Sequence, residues 1–410
     1  MRVLYITHYG ILEPLGQTQI LPYLLGLART GIRIEIHSFE KERFLSDAAR
    51  VKCQVHALQS AGISWRPRRY HGGSSPASLI SDVIPAAVDI MRSCAHGKPD
   101  LLHVRTHVPY LCAWPAALFQ GIPVLFDFRG FLAEEYVDAG LWRTESYKFR
   151  AIKALEKRMA QRSPAVVVLT RPAAEYFRRN YGISADRISV IPCCVDLERF
   201  QPAPETMRHA PGRPLRIVYS GSTTGRYRLA EMFRFFDLIR KARPGSQMTV
   251  LTNGNITHAE AEAGNLGFPD DVVRVLSVQP EEVPRELKRH DLGLILIAGT
   301  LGLAAASPTK MGEYLACGLP VVAEEKIGDS ADILLKSGAG CLIDSSLPDS
   351  WGEVVKEALE LCDSPDIQRK AVAAARRHYS LADGIRRYAK AYHIVAGQEP
   401  GSTFDEADSL

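Results

Sequence analysis

Short apolar runs rich in β-branched residues alternate along the chain with stretches whose apolar positions recur every three or four residues. That is the pattern of parallel sheets covered on both faces by helices. The runs predict strands over 2–7, 33–38, 101–104, 124–127, 165–170 and 188–191, with helices including 17–29, 79–93 and 147–161 between them. The stretch 201–214, QPAPETMRHAPGRP, has four prolines and no apolar period, so it reads as a linker. Beyond it the alternation resumes with strands over 216–219, 248–252, 272–276, 292–297 and 320–323 and a helix over 226–242. The fold class is therefore α/β, two tandem doubly wound parallel-sheet domains of Rossmann type over 1–205 and 206–378. A closing helix at 383–395 precedes a polar, acidic tail, 397–410, that reads as disordered.

At 410 residues, 46% hydrophobic and 23% charged, the chain has material for two sizeable cores. A formal charge of +4 with no long basic run argues against a nucleic-acid partner. The eight cysteines form no CxxC pair and have no histidine at zinc-ligand spacing, so they read as reduced cytosolic thiols. The N-terminus lacks the basic flank of a signal peptide, and the longest weakly polar stretch, 292–306, is too short to span a bilayer. These features predict a cytoplasmic protein, with any membrane contact peripheral and at the inner face.

Ligands of doubly wound sheets bind beyond the carboxyl ends of the strands, so the loops there carry the candidate chemistry. SPTKMGEYLACGLPVV is the richest segment: Ser307 as N-cap, Pro308 at the first helical position, and a ten-residue helix closed by Gly318 and Pro320. Its N-terminus, with the hydroxyls of Ser307 and Thr309 and the ammonium of Lys310, suits a pyrophosphate, and Glu313 on the same face suits ribose hydroxyls. The alternative is a capped surface helix with a Lys310–Glu313 ion pair.

In the loop HYGILEPLGQT, Gly16 and Gln17 stand where backbone approaches phosphate, unless Gly16 is only a turn residue. SGSTTGR offers Ser220, Gly221, Ser222 and Arg226 for anion contact, or else a flexible connection. In FDFRGF, Asp127 and Arg129 leave the sheet together, as site residues or as a mutual brace. His103 and His107, flanking a strand end, read as structural or solvated, with a site role as the alternative. WRPRRYH places Trp65, Arg66, Arg68 and Arg69 in a loop, solvated or touching acidic lipid headgroups. No metal set is present, and no DxD triplet occurs to hold a cation on a sugar nucleotide.

Across nearly its whole length the chain resembles the family 4 retaining glycosyltransferases of GT-B fold. The likeness rests on MRVLYITHYG with GQTQILPYLLGLARTGIRIEIHSFEK, VVVLTRPAAEYFRRNYG, RISVIPCCVDLERF and SPTKMGEYLACGLPVVAEEKIGDS. It implies two Rossmann-like domains facing each other across a cleft. The C-terminal domain would hold a nucleotide diphosphate sugar, the N-terminal domain a glycan or lipid-linked acceptor, and the closing helix would cross back between them. It further implies that Glu313 is the second glutamate of an E-x7-E motif at the ribose, that Lys310 contacts the diphosphate, and that Gly16 lies near it. No cofactor beyond the donor substrate is implied, and Asp127, Arg129 and Lys310 become the catalytic candidates.

Two departures stand out. Ala305 occupies the first glutamate's position, and the usual Arg and Lys pair of the second domain has become SGSTTGRYR, leaving Arg226 or Arg228 as substitutes. Two rivals share the architecture: a nucleotide-sugar epimerase or hydrolase, and a non-catalytic sugar-nucleotide-binding subunit.

Overall fold

The computed structural model describes residues 1–72, 76–204 and 211–398. The middle of the expected linker and the tail from 399 onward lie outside the described residues. Contacts divide the chain into two units: Met1–Ala133 with Thr144–Ile191 and the chain from Leu381 on, and Glu134–Arg143 with Pro192–Ser380. The boundary thus falls at Ile191 rather than at 205, and the short segment 134–143 joins the second unit.

The first unit holds a seven-stranded parallel sheet made of β1 (Arg2–Thr7), β2 (Arg33–Lys41), β3 (Ser64–Tyr70), β4 (Leu101–Arg105), β5 (Val124–Asp127), β6 (Ala165–Val168) and β7 (Ile188–Val190), in the order β3-β2-β1-β4-β5-β6-β7. β3 corrects the expectation of a loop for WRPRRYH. Its proline and arginines hide the strand period, yet both are tolerated on an edge strand, whose outer side needs no hydrogen-bond partner. The helix expected over 17–29 is two, Pro14–Gln19 and Leu21–Arg29, because Pro22 offers no N–H to continue the first. The closing helix, Leu381–Val395, belongs to this unit, where Ile385 packs on Gly26 of the helix Leu21–Arg29.

The second unit has six parallel strands, β8 (Arg216–Ser220), β9 (Gln247–Thr252), β10 (Val273–Ser277), β11 (Leu292–Ile295), β12 (Val321–Glu324) and β13 (Gly340–Ile343), ordered β10-β9-β8-β11-β12-β13. One face buries Phe233, Phe236 and Ile239 of the helix Leu229–Ala242 against Met248 and Val250. The other buries Met311, Tyr314 and Leu315 beneath Ala371 and Ala375. The helix expected from 226 starts only at Leu229, since Arg226 and Arg228 bond instead to the extension of β11, Ala298 N to Arg226 O at 2.6 Å and Arg228 N to Leu296 O at 3.1 Å. Both sheets reverse strand order beside their first strand, so the crevices open at the loops after β1 and β4, and after β8 and β11. Among the described residues no helix is long and apolar enough to cross a membrane.

Gly16 lies inside the helix Pro14–Gln19, where a Cβ would stand 2.2 Å from the Gly10 carbonyl oxygen and 2.5 Å from Ile11 Cα. Those are backbone atoms that cannot swing aside. Gly16→Ala is therefore expected to cost roughly 1–3 kcal/mol in chemical denaturation. Gly264→Ala, in a helix with nothing within 4 Å of the added carbon, should instead stabilise by about 0.5–1 kcal/mol.

Candidate active site

In the second unit the switch-point loops bring Gly221, Tyr227 and Lys310 together. The helix Thr309–Ala316 is eight residues long, and Pro308, not Ser307, occupies its N-cap without a side-chain cap bond. The Ser307 hydroxyl is engaged elsewhere, accepting from the Cys193 N–H at 3.1 Å and so tying the chain after β7 to the helix start. Thr309 is the first helical residue and half-buried.

Lys310 is 6% exposed, and its ammonium lies 3.6 Å from the ring centre of Tyr227 and 4.8 Å from that of Tyr219. No carboxylate forms an ion pair with it among the described residues. The alternative of a Lys310–Glu313 surface pair is therefore not what forms. Burial lowers the lysine's pKa, while Tyr227 and Glu313 act the other way. An ammonium out of water, with tyrosine side chains as its close neighbours, carries a charge that no carboxylate neutralises.

The loop after β8 is shaped around that ammonium. Gly221 has φ 147°, and a Cβ there would stand 2.7 Å from Lys310 Nζ. Only glycine both adopts this backbone and leaves the lysine its room. Ser220 donates its N–H to the buried Tyr314 hydroxyl at 2.7 Å. The Ser222 hydroxyl is spent on its own turn, with Thr224 N at 3.2 Å and Thr224 O at 3.1 Å. Arg226 pairs with Glu135 at 3.1 Å, while its Nε and Nη2 are buried and have no hydrogen-bond partner. Glu313 keeps part of its side chain at the surface, yet burial pushes its carboxyl up to about 7 against the pull of Lys310 and Arg199.

In the first unit, Asp127 is fully buried at the end of β5. Its Oδ2 accepts from His103 Nε2 and Arg105 Nη1, both at 3.3 Å, and from the Tyr388 hydroxyl at 3.2 Å. Arg129 Nη1 lies 3.5 Å from the other oxygen. Two guanidinium groups thus share one carboxylate, and their charge holds it far below the ordinary aspartate range against the opposing effect of burial. Arg105 Nε is buried without a partner, and Thr106 beside it takes φ 74°, a conformation that costs a non-glycine residue about 1–3 kcal/mol. Asp127 is placed to position Arg105 and Arg129 rather than to meet a ligand itself. His103 is structural, bonded also to the Tyr392 hydroxyl at 2.7 Å, and His107 is bonded to Glu156 at 3.1 Å.

The loop after β1 is organised by a residue the sequence reading missed. Glu40, fully buried, accepts from Ile11 N at 2.7 Å, Leu12 N at 3.2 Å and Ser38 Oγ at 2.6 Å. The Gln17 amide is also committed to protein, donating to Ile11 O and Gln54 Oε1, both at 2.8 Å.

A family model described as Glycosyltransferase Family 4 matches residues 18–199. Over that stretch the chain is similar to the family 4 glycosyltransferases. The D-inositol 3-phosphate glycosyltransferase of Xylanimonas cellulosilytica is 27% identical over 402 residues, 92% of this chain and 90% of that protein. Sucrose-phosphate synthase from Thermosynechococcus elongatus superposes with a TM-score of 0.70 at 13% identity, covering 96% of this chain and 98% of its own. HepE from Anabaena, solved with UDP and glucose, does so with 0.66 at 15% identity, over 95% and 98%. At these identities the structures establish a shared fold, GT-B.

Ala305 is 1% exposed in the 3-10 turn Gly302–Ala305. Asp138, from the segment that sequence reading assigned to the first domain, holds that turn through Thr300 N at 3.0 Å and Gly302 N at 2.9 Å. Among the described residues no group of three or more His, Cys, Asp or Glu is placed to hold a metal ion.

Asp127→Asn would remove the buried negative charge that Arg105 and Arg129 share, and denaturation should show a loss of roughly 3–5 kcal/mol. Because the carboxyl is depressed in the fold, its contribution is present above its ordinary value of 3.8 and fades as pH falls below it. The Asn variant should lack that part of the acid dependence. Lys310→Met should leave Tm unchanged or raised, since it removes a buried charge that no carboxylate compensates.

Proposed function

We propose that the chain is a retaining, metal-independent hexosyltransferase of the cytoplasm, moving a sugar from a nucleoside diphosphate sugar to an acceptor hydroxyl in glycan, polysaccharide or glycolipid assembly. The observation that carries this is Lys310, a buried ammonium with no carboxylate partner, set by Gly221 at the switch point of the second sheet. A diphosphate supplies the missing negative charge. Arg226, with two unpartnered guanidinium nitrogens on the same loop as Gly221 and Tyr227, gives a second cation for it.

The donor's ribose hydroxyls donate to the Glu313 carboxylate, and backbone groups from Ser220 to Ser222 and the start of the helix with Thr309 face the phosphates. As the glycosidic bond breaks, charge grows on the leaving diphosphate oxygen. Fixed positive groups aimed there stabilise the transition state more than the ground state. The acceptor hydroxyl attacks the anomeric carbon from the face the diphosphate leaves, and its proton passes to the departing phosphate oxygen. Arg129, set by Asp127, orients the acceptor or the sugar. HepE's complex with UDP and glucose and the inositol phosphate acceptor in the curated relative's name support this reading and make D-inositol 3-phosphate a first acceptor to try.

Incubating UDP-, GDP-, ADP- and dTDP-sugars with an acceptor panel in EDTA should release diphosphate only when acceptor is present, and Lys310→Met should lower kcat at least about 100-fold. Diphosphate release from donor alone would instead indicate a hydrolase. The pH dependence of donor binding has a defined sign. Hydrogen bonds from ribose favour the ionised form of Glu313, whose free carboxyl titrates at about 7, so binding should release protons and tighten from pH 6 to 8. Calorimetry of a nucleotide sugar in buffers of differing ionisation enthalpy checks this, and Glu313→Gln should abolish the proton release.

A further inference from the structure

The helix Pro76–His96 buries Asp82, Ala86, Ile90 and Cys94 against its own unit, yet its opposite side is not polar. Ile80 is 55% exposed, Ile84 58% and Val88 40%, at successive i, i+4 positions, and Arg92 follows one turn on with 73% of its side chain exposed. Single exposed aliphatics are ordinary, but three aligned along one helix form a continuous apolar stripe.

The arginines of β3 flank it. Arg68 donates to Pro85 O at 3.2 Å and pairs with Asp89. Together with Arg66, Arg69 and Arg92 it lines a groove of about 760 Å³ walled by β2, β3 and this helix. Around the groove the ion pairs set five arginines (2, 66, 68, 69 and 92) against three carboxylates (Glu35, Glu42 and Asp89), which leaves it cationic. Trp65, which the sequence left either solvated or touching lipid headgroups, is half-buried with its indole N–H on Ser38 Oγ at 2.8 Å.

We propose that the stripe Ile80, Ile84 and Val88, with Arg92 and the arginines of β3, docks the first unit on an anionic lipid bilayer. The aliphatic side chains enter the interface, and the guanidinium groups lie at the level of the lipid phosphates. An apolar stripe bordered by surplus arginine charge matches that surface on both counts, whereas a neutral bilayer matches only the stripe. The docking is independent of donor binding.

Sedimentation of the full chain with phosphatidylcholine vesicles, with and without phosphatidylglycerol, tests it. The wild type should bind the anionic vesicles at least about tenfold more tightly than the neutral ones, and weaken as salt rises. Ile84→Glu and Val88→Glu should each lower the anionic binding about tenfold at unchanged Tm, because both positions are exposed. Nucleotide binding by Ile84→Glu should remain that of the wild type, which separates this result from the donor reading. Equal sedimentation of wild type and Ile84→Glu, or none with either vesicle, would overturn the proposal. So would a dimer seen by light scattering that Ile84→Glu dissolves, since the stripe would then belong to a second copy.

Discussion

The second unit depends on an ammonium kept out of water without a carboxylate to meet it. Lys310 is held in place by the ring of Tyr227, by the absence of a side chain at Gly221 and by the packing of Met311, Tyr314 and Leu315 beneath its helix. Tyr314 serves twice, filling the core and accepting the Ser220 N–H that fixes the loop after β8. The cation–π contact offsets part of the desolvation cost, on the order of 1–2 kcal/mol, and no carboxylate offsets the rest.

The first unit is organised around a buried carboxylate. Asp127 is shared by Arg105 and Arg129, and the closing helix contributes Tyr388 and Tyr392 to the same buried network. The last helix therefore does more than cover the sheet, because its tyrosines complete the hydrogen bonds of His103 and Asp127. Strain at Thr106 lies next to Arg105, at the ends of the strands where ligands of such sheets bind.

Much of this architecture was legible in the sequence, because buried parallel strands read as unbroken apolar runs. Gly221 and Arg226 stood out as glycine and charged residues just beyond such a run, and Lys310 as a cation at the start of a capped helix. β3 escaped because an edge strand need not look apolar, and Ser307 was read as a cap although its hydroxyl bonds across to Cys193. Glu40, Arg105, Glu135 and Asp138 were missed because their roles rest on partners far away in sequence, which periodicity cannot reveal. A charged residue ending an otherwise apolar strand, as in LLHVR and IHSFEK, was the available signal.

The most direct test of the central claim is calorimetric titration of UDP, GDP, ADP and dTDP, in EDTA, into the wild type and Lys310→Met side by side. The account predicts binding of at least one diphosphate that the substitution abolishes while the folded state is kept. Undiminished binding to Lys310→Met, or no binding of any diphosphate to the wild type, would contradict it.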